Sequence, residues 1–201
     1  MPINQKYLAP FSPDKYYHVF NRSHSGKLMF SENDEYIIFL DLCKKYLTAY
    51  FQFFAYCLLP NHFHLFLQVK DENIFSIRTP VLTINDLCVQ QFRNLFISYT
   101  NKINKKSDAH GGIFSTPFRR VNVEDDIYFT QLIFYIHTNP VHHCITNDFT
   151  NYQYSSYKSF LSSMPTLLER EMVLEWFGDK ERFIKYHRSH QVNIPTDFLI
   201  E

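Results

Sequence analysis

Glycine is scarce in this chain, with 4 in 201 residues, which excludes collagen-like and glycine-rich low-complexity architectures. No apolar stretch approaches the ~18–20 residues that a membrane-spanning helix requires. The longest candidates, such as Phe53–Pro60, have the length of a strand. The first residues, Met1-Pro2-Ile3-Asn4-Gln5-Lys6, hold no apolar signal core, which points away from secretion. Cys-x-x-Cys pairs are lacking: Cys43, Cys57, Cys88 and Cys144 lie far apart and read as reduced, mostly buried thiols of an intracellular protein. An excess of one charge is lacking too. Lys plus Arg and Asp plus Glu number 20 each, so no global field draws the protein towards nucleic acid.

What is present is a globular composition, 45% hydrophobic and 20% charged, with 21 Phe and 14 Tyr to fill a core. The length fits one domain, or one domain with an appendage. Charge is balanced overall but uneven locally. Between Asn101 and Asn122 the chain carries Lys102, Lys105, Lys106, Arg119 and Arg120 against Asp108 alone, whereas Ser31–Asp41 and Glu124-Asp125-Asp126 are acidic. Such a basic cluster suits a surface that tracks phosphates, and equally an ordinary solvated face.

Hydrophobic periodicity gives the order of elements. Tyr16–Asn21 is aromatic and β-branched, a strand. Ser31, followed by Glu32 and Asp34, is a candidate N-cap for a helix running to about Tyr50. Phe53–Leu59 and His62–Val69 form a hairpin about Pro60-Asn61. Ile84–Ile103 is a long helix, Phe118–Val123 a strand, and a third helix runs from Asp125 through Tyr135 until Pro140 ends or kinks it. The order β-α-β-β-α-β-α implies an α+β fold with an antiparallel-rich sheet and packed helices. Residues 1–162 are assigned to this domain and residues 163–201 to a helical C-terminal tail, with Met172–Tyr186 as its amphipathic stretch.

Two constellations carry chemistry. In Pro60-Asn61-His62-Phe63-His64, strand alternation puts His62 and His64 on one face and Phe63 on the other, so the two imidazoles can chelate one metal ion. The plain alternative is a pair of histidines on a polar sheet face. In Tyr135-Ile136-His137-Thr138-Asn139-Pro140, Tyr135 and Asn139 are four apart and share a helical face, with Gln131 and Tyr128 on the same stripe. That stripe could equally hydrogen-bond at the rim of a core. His18 reads as a core histidine, and His142-His143 as partners of a helix end or solvent.

Together these residues resemble the HUH superfamily of single-strand DNA endonucleases, and within it the REP-associated tyrosine transposases, a single-tyrosine branch of insertion sequence 200-like type. The matching pieces are Tyr17-His18-Val19-Phe20-Asn21-Arg22, Tyr56–Leu67, Gly112-Ile113-Phe114, Phe118-Arg119-Arg120, Tyr135–Val141 and Tyr154-Ser155-Ser156-Tyr157. Tyr154 stands where the family often has Trp, and His142-His143 replace basic residues expected after Asn-Pro-Val.

The resemblance implies an HUH endonuclease fold of ferredoxin-like or RRM-like architecture and a metal-dependent DNA endonuclease and strand transferase. His62, His64 and Asn139 would hold Mg²⁺ or Mn²⁺, and Tyr135 would be the nucleophile that forms a 5′-phosphotyrosine. The implied partner is single-stranded DNA with imperfect palindromic hairpins, contacted by Arg119 and Arg120, then Lys102, Lys105 and Lys106, with Arg22 beside them. No membrane is implied. A bacterial cytoplasm, at the nucleoid, is the implied location, with monomer and homodimer both compatible. A binding protein that has lost catalysis, acting as a hairpin-DNA regulator, is the alternative. Metal-dependent activity is expected to fall as pH drops through ~6.5, because only a neutral imidazole ligates metal.

Overall fold

A run of aromatic and β-branched residues at Tyr16–Arg22 forms strand β1, whose inner residues are all buried. A computed structural model of the chain describes residues 5–24, 26–71, 73, 82–124 and 126–189. Helix α1 (Asn33–Leu47) follows, then the hairpin β2 (Phe51–Leu59) and β3 (His62–Val69), helix α2 (Ile84–Ser107), strand β4 (Arg119–Val123) and helix α3 (Asp126–His142). Three shorter helices complete it: α4 (Tyr157–Leu161), α5 (Arg170–Phe177) and α6 (Lys180–Ser189).

The four strands lie in the order β2-β3-β1-β4, and every neighbouring pair is antiparallel. With α1 and α2 as crossovers, this is the split β-α-β-β-α-β arrangement of ferredoxin-like folds. The α+β reading of the sequence, including its order of elements, is what the structure has.

Local chemistry explains the boundaries. Helix α1 starts one residue later than the serine cap read from the sequence. Glu32 is the N-cap, in a reciprocal capping box with Glu35, and Ser31 donates its backbone N–H and hydroxyl to the Glu35 carboxylate. Helix α2 begins on a Thr83–Asp86 capping box and ends at Asp108 in the left-handed conformation. The Met172–Tyr186 stretch is two helices, because Gly178 at φ 95° breaks it between α5 and α6.

The two faces of the sheet carry different layers. Phe63 on one face packs against Phe39 of α1 and Phe96 of α2. Phe66 on the other packs against Phe129 of α3 and Trp176 of α5. Helix α3 is therefore enclosed, sheet on one side and C-terminal helices on the other. Its residues Leu132 to Asn139 are buried without a break, so an amphipathic pattern was never available to it. Pro140 does not end this helix, which runs on to His142 before Cys144 turns left-handed.

A continuous hydrogen-bond chain ties α3 to its neighbours. His187 Nδ1 lies 2.8 Å from the Phe183 carbonyl, His187 Nε2 lies 2.9 Å from His137 Nδ1, and His137 Nε2 lies 2.8 Å from Ser156 Oγ. Tyr56 of β2 donates its backbone N–H to Ser156 Oγ at 2.9 Å. With His187 Nδ1 donating to the Phe183 carbonyl and both imidazoles neutral, each group donates towards Phe183, and Ser156 Oγ also lies 3.2 Å from the Tyr56 carbonyl. Among the described residues no helix is long and apolar enough to cross a membrane.

Candidate functional site

The hairpin turn that delivers the two histidines is held from outside. The backbone N–H groups of Met29 and Phe30 both donate to the Pro60 carbonyl, and that of Ser23 donates to the Asn61 carbonyl. With the turn fixed, alternation along β3 sends His62 and His64 to the α3 face, although both are buried. Tyr135 and Asn139 come down from α3 onto the same face. The Tyr135 ring centroid lies 5.4 Å from that of His64, and Asn139 Oδ1 lies 3.4 Å from His62 Nε2. The residues singled out from sequence as ligands and nucleophile thus meet at one place.

The hydrogen bonds around the two imidazoles set their orientation. His62 Nδ1 lies 2.7 Å from Asn61 Oδ1, an acceptor, so that nitrogen carries the proton. Its other nitrogen then presents a lone pair towards Asn139 Oδ1. The Asn139 amide is oriented by its Nδ2, which donates to the Tyr135 carbonyl at 3.3 Å. Two acceptors therefore face each other, His62 Nε2 and Asn139 Oδ1. An imidazolium at His62 could bridge them, but burial first, and then the neighbouring His143, push its pKa down to about 4, against a small upward pull from Asn139. At neutral pH the pair is complementary to a cation.

His64 repeats the pattern through a residue the sequence had placed in the core. His18 Nε2 lies 2.9 Å from His64 Nδ1, with both rings buried, and His64 Nε2 is a buried nitrogen without a hydrogen-bond partner. Burial, then the imidazoles of His18, His62 and His143, hold His64 well below the ordinary range, and burial holds His18 at about 3. Acid competition for these imidazoles therefore lies far below the ~6.5 expected of free histidine.

His143 is a second addition. It follows Asn139 by one helical turn, and its ring centroid lies 4.5 Å from that of His62. The signal was its i+4 spacing from Asn139, hidden by reading Pro140 as the end or a kink of the helix.

The basic residues divide by face. Arg22 pairs in register with His62, so it lies at the exposed end of β1 on the site's side. Arg119 sits over the rings of Tyr7 and Phe20, 5.7 and 5.9 Å from their centroids, and Phe20 in turn stacks on His64. Arg120 is a correction: one residue on in the strand, it points to the opposite face and is buried. Its guanidinium lies 5.1 Å from both the Phe11 and Phe118 rings, and Nε donates to the Ala9 carbonyl. Lys102, Lys105 and Lys106 belong to α2, in the layer across the sheet from the histidines. Lys106 is bound there by Glu32 and Asp34 at 2.9 and 2.7 Å.

The fit to a divalent cation follows from donor chemistry. Among the described residues no group of three or more His, Cys, Asp or Glu forms a cage, so a closed structural zinc site is not what is built. Two neutral imidazoles and an amide oxygen are a sparse, uncharged set that leaves ligand positions and positive charge for an anionic substrate. The orphaned His64 Nε2 and the facing acceptors of His62 and Asn139 fit such an ion.

A ferredoxin-like sheet with a histidine pair on its central β3 and a tyrosine helix across it defines the architectural class. Among solved structures, the REP-associated tyrosine transposase bound to a REP hairpin has this fold: the two superpose with a TM-score of 0.61 at 12% identity, over 83% of this chain and 90% of that one. No protein-family model matches the sequence, and no curated protein matches it.

Proposed function

We propose that this protein cleaves and rejoins single-stranded DNA beside imperfect hairpins, with Tyr135 as the covalent nucleophile and His62, His64 and Asn139 as ligands of Mg²⁺ or Mn²⁺. The observation that carries this reading is His62 Nε2 facing Asn139 Oδ1 at 3.4 Å, with the His64 ring, whose Nε2 is buried without a partner, 5.2 Å from that of His62 and 5.4 Å from that of Tyr135. The hairpin-bound neighbour of like fold supports DNA hairpins as the partner. A bacterial cytoplasm is the setting that goes with it.

In this scheme the Tyr135 phenolic oxygen forms a bond to phosphorus as the bond from phosphorus to the 3′ oxygen breaks. The phenol's proton ends on the departing oxygen, giving a 5′-phosphotyrosine and a free 3′ hydroxyl. Attack by a 3′ hydroxyl on that linkage reverses the balance and rejoins strands without ATP. When bound, the cation supplies the positive charge that polarises the scissile phosphate. Asn139 and Tyr135 are one turn apart on a buried helix, so ligand and nucleophile keep a fixed spacing. Arg22 and Arg119 flank the site on the same face and supply cations for the DNA backbone.

The test is incubation with single-stranded hairpin DNA and Mn²⁺, followed by peptide mass spectrometry of the trapped adduct. A nucleotide on Tyr135, its loss in Tyr135→Phe with hairpin affinity retained, and loss of cleavage in His62→Ala and His64→Ala are expected. Asn139→Ala should be milder and partly rescued by excess Mn²⁺. Normal cleavage by either histidine variant, or an adduct on another tyrosine, refutes the assignment. One observation favours the regulator instead: Tyr135 is only 2% exposed, so a phosphate must displace what covers it. Hairpin binding with no adduct would decide for that second reading.

A further inference from the structure

We propose that His18 is a positioning residue for the cation site: it holds His64 in the tautomer that turns the Nε2 lone pair inward, as Asn61 does for His62. The proposal rests on the metal reading of His62, His64 and Asn139.

The backbone sets the contact. His18 pairs with Phe66 and His64 with Phe20 across β1 and β3, which makes the two histidines diagonal neighbours on one face. Their rings are nearly parallel, at 22° and 5.1 Å between centroids, and Nε2 of one meets Nδ1 of the other at 2.9 Å. His18 is 1% exposed and His64 3%, so bulk solvent does not reach their ring nitrogens.

Two neutral imidazoles have four ring nitrogens and two protons, and this pair makes one shared bond. The atoms left over are His18 Nδ1 and His64 Nε2, both buried without a partner. Only two proton arrangements satisfy the shared bond. If His18 donates, His64 keeps its proton on Nε2, the atom without a hydrogen-bond partner, and that proton blocks ligation. If His64 donates from Nδ1, its Nε2 is a bare lone pair on a ring 5.2 Å from that of His62, and His18 carries its own proton on Nδ1. A cation on Nε2 selects the second arrangement, and by reciprocity the His18 acceptor favours cation binding. Asn61 reaches the same result at His62 with an oxygen that can only accept. Both ligands are thus aimed by an outer partner at Nδ1, one from the turn and one from the neighbouring strand.

The test uses the full chain without DNA and Mn²⁺ alone, followed by electron paramagnetic resonance. Loss of the aqueous signal gives the affinity, and spin-echo modulation from directly bound nitrogen counts imidazoles. The wild type should show two. His18→Phe keeps a flat ring but no acceptor, and should bind Mn²⁺ about ten- to a hundredfold more weakly, with one nitrogen. His18→Gln can place an amide oxygen where Nε2 stands and should restore two nitrogens and most of the affinity.

Unchanged binding with two nitrogens in His18→Phe overturns the proposal. So does His18→Gln with one nitrogen, an outcome that remains decisive if the Phe variant does not fold. Failure of the metal reading looks different: the wild type binds no Mn²⁺, or His62→Ala binds it as the wild type does.

Discussion

Acid should unfold this protein over a narrow interval below pH 6, because its fold holds at least four histidines neutral. Burial lowers His18 to about 3 and, with His143 beside it, His62 to about 4. His64 and His137 are held well below the ordinary range, again by burial first, and then by neighbouring imidazoles. In the unfolded chain each titrates near ~6.5. The folded values are lower, so below ~6.5 the unfolded state takes up protons that the native state refuses, and stability falls as pH falls. Between pH 7 and 5 each such histidine costs about 2 kcal/mol, so the four together cost about 8 kcal/mol. A domain of ordinary stability has only about 5–15 kcal/mol to lose. The lowered carboxyls of Asp34, bonded to Lys106, and Asp148, bonded to Thr150, act at lower pH and do not mask the effect. Urea denaturation in EDTA at pH 7, 6 and 5 measures it. A loss below about 2 kcal/mol between pH 7 and 5, less than four neutral histidines require, would refute the reasoning.

Two further outcomes follow from the layering. Arg22→Ala and Arg119→Ala should each lower the slope of log affinity against log salt for hairpin DNA by about 0.7–0.9, while Lys106→Ala, already neutralised by Glu32 and Asp34, should leave it unchanged. An equal drop for Lys106→Ala would place DNA on the wrong side of the sheet. Trp176 is the sole tryptophan and packs 5.0 Å from Phe54 and 4.8 Å from Phe129, so its fluorescence and the far-ultraviolet circular dichroism should unfold in one coincident transition. Separate transitions would make the segment after Ser162 an independent unit.

Periodicity made much of this architecture legible. The hairpin, the shared face of His62 and His64, and the one-turn spacing of Tyr135 and Asn139 all follow from repeats of two and 3.6 residues. What stayed hidden depends on contacts between distant segments. His18 has no spacing that marks it; only the pairing of β1 with β3, across an intervening helix and strand, sets it beside His64. Arg119 and Arg120 look alike in sequence, and strand parity alone sends one to the site's face and buries the other. Helix α3 has too little polar surface for its orientation to be read from pattern, so its register came from the Tyr135–Asn139 pair instead.

The chain of donors from Tyr56 through Ser156, His137 and His187 to Phe183 has an evolutionary consequence. A size-matched replacement at any one link must also keep the direction of donation, or it strands a neighbour with two donors or two acceptors face to face. Ser156, His137 and His187 therefore cannot drift one at a time; they form a single epistatic unit spread over three elements. Relatives of this protein should keep all three or exchange all three together for apolar residues. An isolated change would mark a lineage in which α6 no longer rests on the helix that carries Tyr135.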